Sequence, residues 1–171
     1  MSSSTSRRQF LSRTAAIGAG FGVWSSRSPV VRANESVLQG LSAACIGVGG
    51  KGSSDTSHIA EQGVSIVGLC DVDGGTVDKK SREFPDAGKF DDFREMLEKL
   101  GDKIDIVTVS TPDHTHAVAA LKAMQMKKHV YCQKPLTWSI HEARLMRETA
   151  EKMGVVTQMG NQGTSENGLR E

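Results

Sequence analysis

Cysteine is scarce in this chain, and what there is of it excludes several classes. The three cysteines, Cys45, Cys70 and Cys132, form no C-x-x-C pair, which argues against a metal site and against a disulfide scaffold. All three fall in or at the end of predicted strands, where a cysteine behaves as a small buried hydrophobe. No stretch approaches the ~20 consecutive apolar residues of a membrane span. There is no internal repeat, and no low-complexity segment beyond the first few serines. Acidic residues are missing from residues 1–33, which carry five arginines (Arg7, Arg8, Arg13, Arg27, Arg32). Taking those five from the 21 basic residues leaves 16 against 20 acids in the rest of the chain, beneath an overall charge of +1. A mildly acidic body argues against nucleic acid as partner. Its length suits one well-packed domain rather than two large ones.

What is abundant is glycine, and one cluster of it organises the chain. Ala43-Ala44-Cys45-Ile46-Gly47-Val48-Gly49-Gly50-Lys51-Gly52 reads as an apolar strand running through a tight turn into a helix. Gly47, Gly49 and Gly52 stand at G-x-G-x-x-G spacing. The first permits the turn, the second leaves room for a pyrophosphate against bare backbone, and the third lets helix and sheet approach. The N–H groups at the start of that helix face the anion, helped by the helix dipole. A second strand pattern, Val64 to Asp71, ends in a carboxylate 24 residues after Gly47. A carboxylate there is placed to accept both hydroxyls of an adenosine ribose. The whole βαβ context predicts a dinucleotide site.

The N-terminus reads as an address rather than as fold. Ser6-Arg7-Arg8-Gln9-Phe10-Leu11 resembles a twin-arginine export signal, and a Gly/Ala-rich apolar run follows from Ala15 to Trp24. Cleavage is expected after Ala33, and residues 34–41 form a polar lead-in. The twin-arginine route carries folded proteins, so the expected location is the periplasm, with a cofactor captured before export and held tightly.

The remainder alternates strand and helix. Strands are expected at about 43–48, 64–71, 89–90, 104–110, 129–132 and 155–159. A helix over 76–84 is expected after a Gly74-Gly75 turn. Asp91 or Asp92 caps a helix whose face is Phe93, Met96, Leu97 and Leu100. Pro112 opens another, packing through Ala117, Ala120, Leu121 and Met124. Ser139 and Glu142 make a capping box for a helix with inner face Ile140, Ala143, Met146, Ala150 and Met153. Such alternation implies right-handed crossovers and a Rossmann-type, doubly wound parallel sheet in a three-layer αβα domain over 42–162, with strand order 3-2-1-4-5-6. Ligands bind at the carboxyl ends of such strands, which selects the loops Gly47–Gly52, Asp71–Asp73, Ser110–His116, Gln133–Trp138 and Gly160–Thr164.

Four of these segments together, Gly47-Val-Gly-Gly-Lys-Gly52, Cys70-Asp-Val-Asp73, Ser110-Thr-Pro-Asp-His-Thr-His116 and Cys132-Gln-Lys-Pro-Leu136, resemble the Gfo/Idh/MocA oxidoreductases over residues 42–171. The resemblance implies that Gly47, Gly49 and Gly52 hold the pyrophosphate and that Asp71 holds the ribose, favouring NAD over NADP. It implies that Ser110, Thr111, Pro112 and His116 lie along the cofactor. Lys134 corresponds to the lysine of an E-K-P motif beside nicotinamide and substrate, and is the expected catalytic residue. The chain departs from the family at Gln133, where the family has Glu: the amide keeps hydrogen-bonding reach and drops the charge. The family's second domain, which supplies the substrate wall and the oligomer interface, is absent, and residues 163–171 look like the crossing into it. On this reading the chain is a truncated one that binds dinucleotide without turning over substrate alone.

Other residues leave two readings open. Lys51 either touches the pyrophosphate or faces water, His114 either borders the cofactor or starts a helix, and Trp138 either covers the pocket or packs. Function is left among three: the NAD-binding half of an exported oxidoreductase acting on a sugar or polyol, a glycoside-cleaving relative using transient oxidation, and a non-catalytic dinucleotide-binding remnant.

Overall fold

The computed structural model describes residues 39–165. The export signal expected over 1–33, the lead-in residues 34–38 and the crossing residues 166–171 lie outside the described residues.

Six strands form one wholly parallel sheet: β1 (Ser42–Ile46), β2 (Ser65–Cys70), β3 (Gly88–Phe90), β4 (Ile106–Val109), β5 (His129–Gln133) and β6 (Thr157–Gly160). Their order is β3-β2-β1-β4-β5-β6, the doubly wound order expected. The helices are α1 (Gly50–Glu61), α2 (Gly74–Ser81), α3 (Phe93–Leu100), α4 (Asp113–Gln125), α5 (Ile140–Met153) and a single turn, α6 (Gln162–Ser165).

Side-chain alternation along the strands splits the core into two layers. Ala43, Cys45, Ile66 and Leu69 face α1 and α2, where Ile59, Ala60 and Val77 meet them. Ala44, Ile46, Cys70, Val107, Val109 and Cys132 face the opposite way and pack on Met96, Leu97, Met124 and Met146. Leu69, Leu97, Met96 and Met124 are fully buried, each contributing roughly 1.5–3 kcal/mol over exposure. Cys45 and Cys70 lie on adjacent strands but one register step apart, Cys45 opposite Leu69 and Cys70 opposite Ile46. They therefore belong to different faces of the sheet, and all three cysteines are free and buried.

Several boundaries differ from those expected. Gly74-Gly75 is the first turn of α2 rather than a loop, because Asp73 caps it: its carboxylate accepts from the Gly75 N–H at 2.9 Å and the Thr76 hydroxyl at 2.7 Å. Pro112 is the residue before α4, with φ −57° and ψ 145°, so the helix proper starts at Asp113. The Ser139–Glu142 capping box forms as expected. Ile140, in the first turn of α5, is 74% exposed rather than inward. The loop expected over 160–164 contains α6.

Candidate functional site

The site is built at the carboxyl ends of β1, β2 and β4. Leaving β1, the backbone turns at Gly47, whose φ of +78° and position leave no room for a side chain: a Cβ would stand 2.8 Å from the Ser110 carbonyl and the Thr111 nitrogen. The Gly47 N–H donates to the Cys70 carbonyl at 2.8 Å, tying the turn to β2. At Gly52 the constraint is contact, since a Cβ would come within 1.7 Å of the Gly47 oxygen. Gly49 occupies the N-cap of α1 and offers no capping side chain. The amides of the first helical turn have no intrahelical acceptor, so they and the helix dipole are left for an anion. Gly50, outside the three-glycine pattern, also has positive φ, +47°.

Asp71 closes the turn from the end of β2. Its Oδ2 accepts the N–H groups of Val48 at 3.0 Å and Gly49 at 3.2 Å, and its Oδ1 that of Asp73 at 3.2 Å. A carboxylate has about four lone-pair sites. Three are taken by amides, which leaves capacity for one ribose hydroxyl without displacing a turn amide.

Between these groups lies a cavity of about 470 Å³, lined among others by Gly47, Gly49, Asp71, Ser110, Thr111 and His114. That volume is in the range of cofactor sites. A larger cavity, about 540 Å³, opens between α4, α5 and the β5–β6 pair. Its lining is mainly apolar, with Met124, Met146 and Ala150, and includes no residue of the glycine turn whose amides would receive a phosphate.

Thr111 lines the 470 Å³ cavity, while its hydroxyl is buried away from solvent and has no hydrogen-bond partner among the described residues. A buried unpartnered hydroxyl is costly. Uncapped amides, a side-chain-free turn and a carboxylate on the β2 side, around a cavity that extends to Ser110 and Thr111 on the β4 side, together fit a dinucleotide.

The other expected residues do different work. Ser110 lines the cavity, but its hydroxyl turns away to donate to Asp55 Oδ2 at 2.8 Å. His116 is buried at 1% exposure, outside the cavity lining, with its ring nitrogens 2.7 Å from the Thr111 carbonyl and 2.8 Å from the Pro135 carbonyl. It clasps the β4 loop to the β5 loop. Pro112 is exposed beside them. Lys51 bonds Asp55 at 3.1 Å and the Ser54 hydroxyl at 3.2 Å, so its ammonium is drawn along the helix. Trp138 is 71% exposed.

Gln133 and Lys134 end β5, one strand beyond the cavity. Gln133 is buried, and its Nε2 donates to Asp55 Oδ2 at 2.8 Å while its Oε1 accepts the Lys134 N–H at 3.2 Å. Lys134 is exposed, its ammonium makes no ion pair among the described residues, and the bond to Pro135 is cis. The carboxylate missing at 133 is thus not missing from this loop, because Asp55 supplies one from α1. Asp55 sits in a run of small polar residues, Ser53-Ser54-Asp55-Thr56, with no motif to single it out. The one available signal was its i, i+4 relation to Lys51.

The thiols have no nucleophilic part. Burial pushes the Cys70 thiol up to about 12, with the charge of Asp71 adding to it, and burial pushes Cys132 up to about 12. Cys45 is raised by the same cause. Among the described residues no group of three or more His, Cys, Asp or Glu could hold a metal ion, and no helix is long and apolar enough to cross a membrane.

Comparison with known proteins agrees with the geometry. Residues 41–161 match the family model for the Gfo/Idh/MocA oxidoreductase family, NAD-binding Rossmann fold. A glycosyl hydrolase family 109 protein of Saccharopolyspora erythraea is 33% identical over 171 residues, covering 86% of this chain and 37% of the relative. The chain thus spans little more than a third of that relative's length. Among solved structures, GenD2 from gentamicin A biosynthesis, in complex with NAD, aligns with TM-score 0.67 and 26% identity over 72% of this chain and 35% of its own. The WlbA dehydrogenase of Bordetella pertussis, in complex with NADH and UDP-GlcNAcA, shares the fold with TM-score 0.71 at 20% identity, covering 77% of this chain and 41% of its own. The uncapped glycine turn, the Asp71 carboxylate and the matched sequence converge on one conclusion: this chain belongs to the Gfo/Idh/MocA oxidoreductases, and residues 41–161 are its NAD-binding Rossmann domain.

Proposed function

We propose that the chain is the NAD-binding half of an exported oxidoreductase that transfers hydride to or from a sugar or polyol. The observation that carries this reading is the 470 Å³ cavity, lined by the glycine turn and Asp71 on one side and by Ser110 and Thr111 on the other. The first-turn amides of α1 hold the pyrophosphate. Asp71 takes a ribose hydroxyl, and the cofactor runs past Ser110 and Thr111 at the end of β4. Bound NAD supplies a hydride acceptor beside the substrate. Lys134, exposed at the carboxyl end of β5, takes up the substrate's hydroxyl proton as the carbinol carbon becomes a carbonyl. His116 and Gln133 hold the loops that carry Thr111 and Lys134. The substrate class rests on relatives and neighbours named for sugars or glycosides. In the full-length protein the family's second domain makes the substrate wall and a homo-oligomer interface.

Export rests on the Arg7-Arg8 pair with its Phe10-Leu11. Replacing both arginines by Lys retains the protein in the cytoplasm of a host with the twin-arginine system. Undiminished export of that variant removes the periplasmic location and leaves the dinucleotide site untouched.

A second reading has a specific observation in its favour. The Saccharopolyspora relative named glycosyl hydrolase family 109 matches 86% of this chain at 33% identity. On that reading the sugar carbon would be oxidised only transiently by bound NAD, the aglycone would leave by elimination, water would add to the resulting double bond, and reduction of the carbonyl would leave no net redox change. Incubating the NAD-loaded full-length protein, second domain included, with free sugars and polyols, and separately with chromogenic aryl glycosides, separates the two. Accumulation of reduced nicotinamide with free sugars supports the first. Aglycone release without net reduction supports the second. Neither, with NADH binding intact, overturns both and leaves a dinucleotide-binding module.

A further inference from the structure

Asp55 is a buried carboxylate, 7% exposed, that the dinucleotide motif does not use. It lies one turn into α1 and reaches under the carboxyl ends of β4 and β5. Val109 and Cys132 are register partners, so Ser110 and Gln133 follow them side by side. Both converge on the same oxygen, Asp55 Oδ2, each at 2.8 Å, while Lys51 meets Oδ1 at 3.1 Å. An ionised carboxylate only accepts hydrogen bonds, so the Gln133 side chain must point its NH₂ at Asp55. Its carbonyl oxygen is thereby turned to the Lys134 N–H, 3.2 Å away.

In a doubly wound sheet the dinucleotide crosses the switch point between β1 and β4, one half over β1–β3 and the other over β4–β6. With Asp71 on the β2 side for the adenosine, the loops that Asp55 ties together are those under the nicotinamide half. We propose that Asp55 is a positioning residue for that half: its carboxylate and the Gln133 amide act as one directional unit that sets the backbone of Ser110 and Lys134. The proposal rests on the dinucleotide reading above and extends it to a residue that touches neither cofactor nor substrate.

The unit has a sense. Glu at 133 sets a second carboxylate at hydrogen-bond distance from the first, and two carboxylates sharing one site cannot both stay charged there. Asn at 55 offers an NH₂ where Gln133 also presents one. Exchanging the two groups, Asp55→Asn with Gln133→Glu, restores one donor facing one carboxylate.

The test is titration of the purified protein and of Asp55→Asn, Gln133→Glu and the double variant with NADH and, separately, with ADP. ADP reports the turn and Asp71 alone. NADH is followed by its own fluorescence, which reads the surroundings of the nicotinamide. Each single variant is expected to lose about tenfold in NADH affinity, equivalent to about 1.4 kcal/mol, with ADP affinity changed less than about twofold. The double variant is expected to recover NADH affinity to within about threefold of the original. Equal losses for ADP and NADH, or losses that simply add in the double variant, overturn the proposal. Should one single variant fail to fold, a folded double variant that binds NADH supports the proposal, and a double variant that does not overturns it. An unsubstituted protein that binds neither nucleotide overturns the dinucleotide reading itself, and this proposal with it.

Discussion

The Asp71 carboxylate lies 3.0 Å from the Val48 N–H and so holds the glycine turn closed from the neighbouring strand. One side chain therefore both shapes the phosphate cradle and presents an acceptor to the ribose. Asp71→Ala removes two amide contacts to the turn and one to Asp73. The hydrogen bond from a ribose hydroxyl to this charged group is worth about 1.5–3 kcal/mol, so NAD affinity should fall by roughly 10- to 150-fold. Calorimetric titration with NAD measures it; a loss below about threefold contradicts the double role.

His116 predicts a stability effect rather than a contact effect. His116→Leu leaves the Thr111 and Pro135 carbonyls facing an apolar side chain in a buried site. An imidazole donates through one ring N–H in either tautomer, so one carbonyl loses its donor at about 1–3 kcal/mol, and denaturant unfolding should show a loss of that order. NAD affinity should fall as well, since Thr111 loses its anchor.

Gly52→Ala tests the close approach of α1 to the turn. Its Cβ would overlap the Gly47 oxygen at 1.7 Å, and both are backbone-fixed, so no rotamer relieves it. Overpacking costs about 1–3 kcal/mol in ordinary cores and more where backbone must move. The expected outcome is a protein that is poorly folded by thermal unfolding, or folded with NAD affinity lost. A stable variant with unchanged affinity contradicts the geometry.

How far the sequence foretold these residues follows from the range of the signal each carries. Strand order and the turn glycines were legible because alternation and G-x-G-x-x-G spacing are local patterns. The Ser139 cap was legible for the same reason, and the cap of α3 was legible to within Asp91 or Asp92, of which Asp92 makes it. The helical start at Gly74 was not, because glycine pairs signal turns and only the Asp73 carboxylate turns this one into a helix. Asp55 was not, because its partners stand 55 and 78 residues away and come together only once β4 and β5 are in register. His116 was picked out by its motif, but its motif says nothing of the two carbonyls that occupy both ring nitrogens.

The buried thiols predict alkaline sensitivity. Burial holds the Cys70 and Cys132 thiols at about 12 in the fold, against an ordinary value of 9.0. A group raised on folding contributes stability that is fully present below its unfolded value and is lost as pH climbs toward its folded value. Stability should therefore decline between about pH 9 and 12, by up to roughly 1.4 kcal/mol per pH unit per thiol. Cys132→Ala should shallow that slope in denaturant melts taken across the window, at some cost in packing. An unchanged slope contradicts the account.

The central claim is that the turn from Gly47 to Gly52 and the Asp71 carboxylate form an NAD site, and equilibrium binding tests it most directly. Titrating the protein with NADH and with NADPH should give one saturable site per chain for NADH. NADPH should bind at least about tenfold more weakly, since its added phosphate meets the negative charge of Asp71. No saturable binding, or NADPH bound as tightly as NADH, contradicts it.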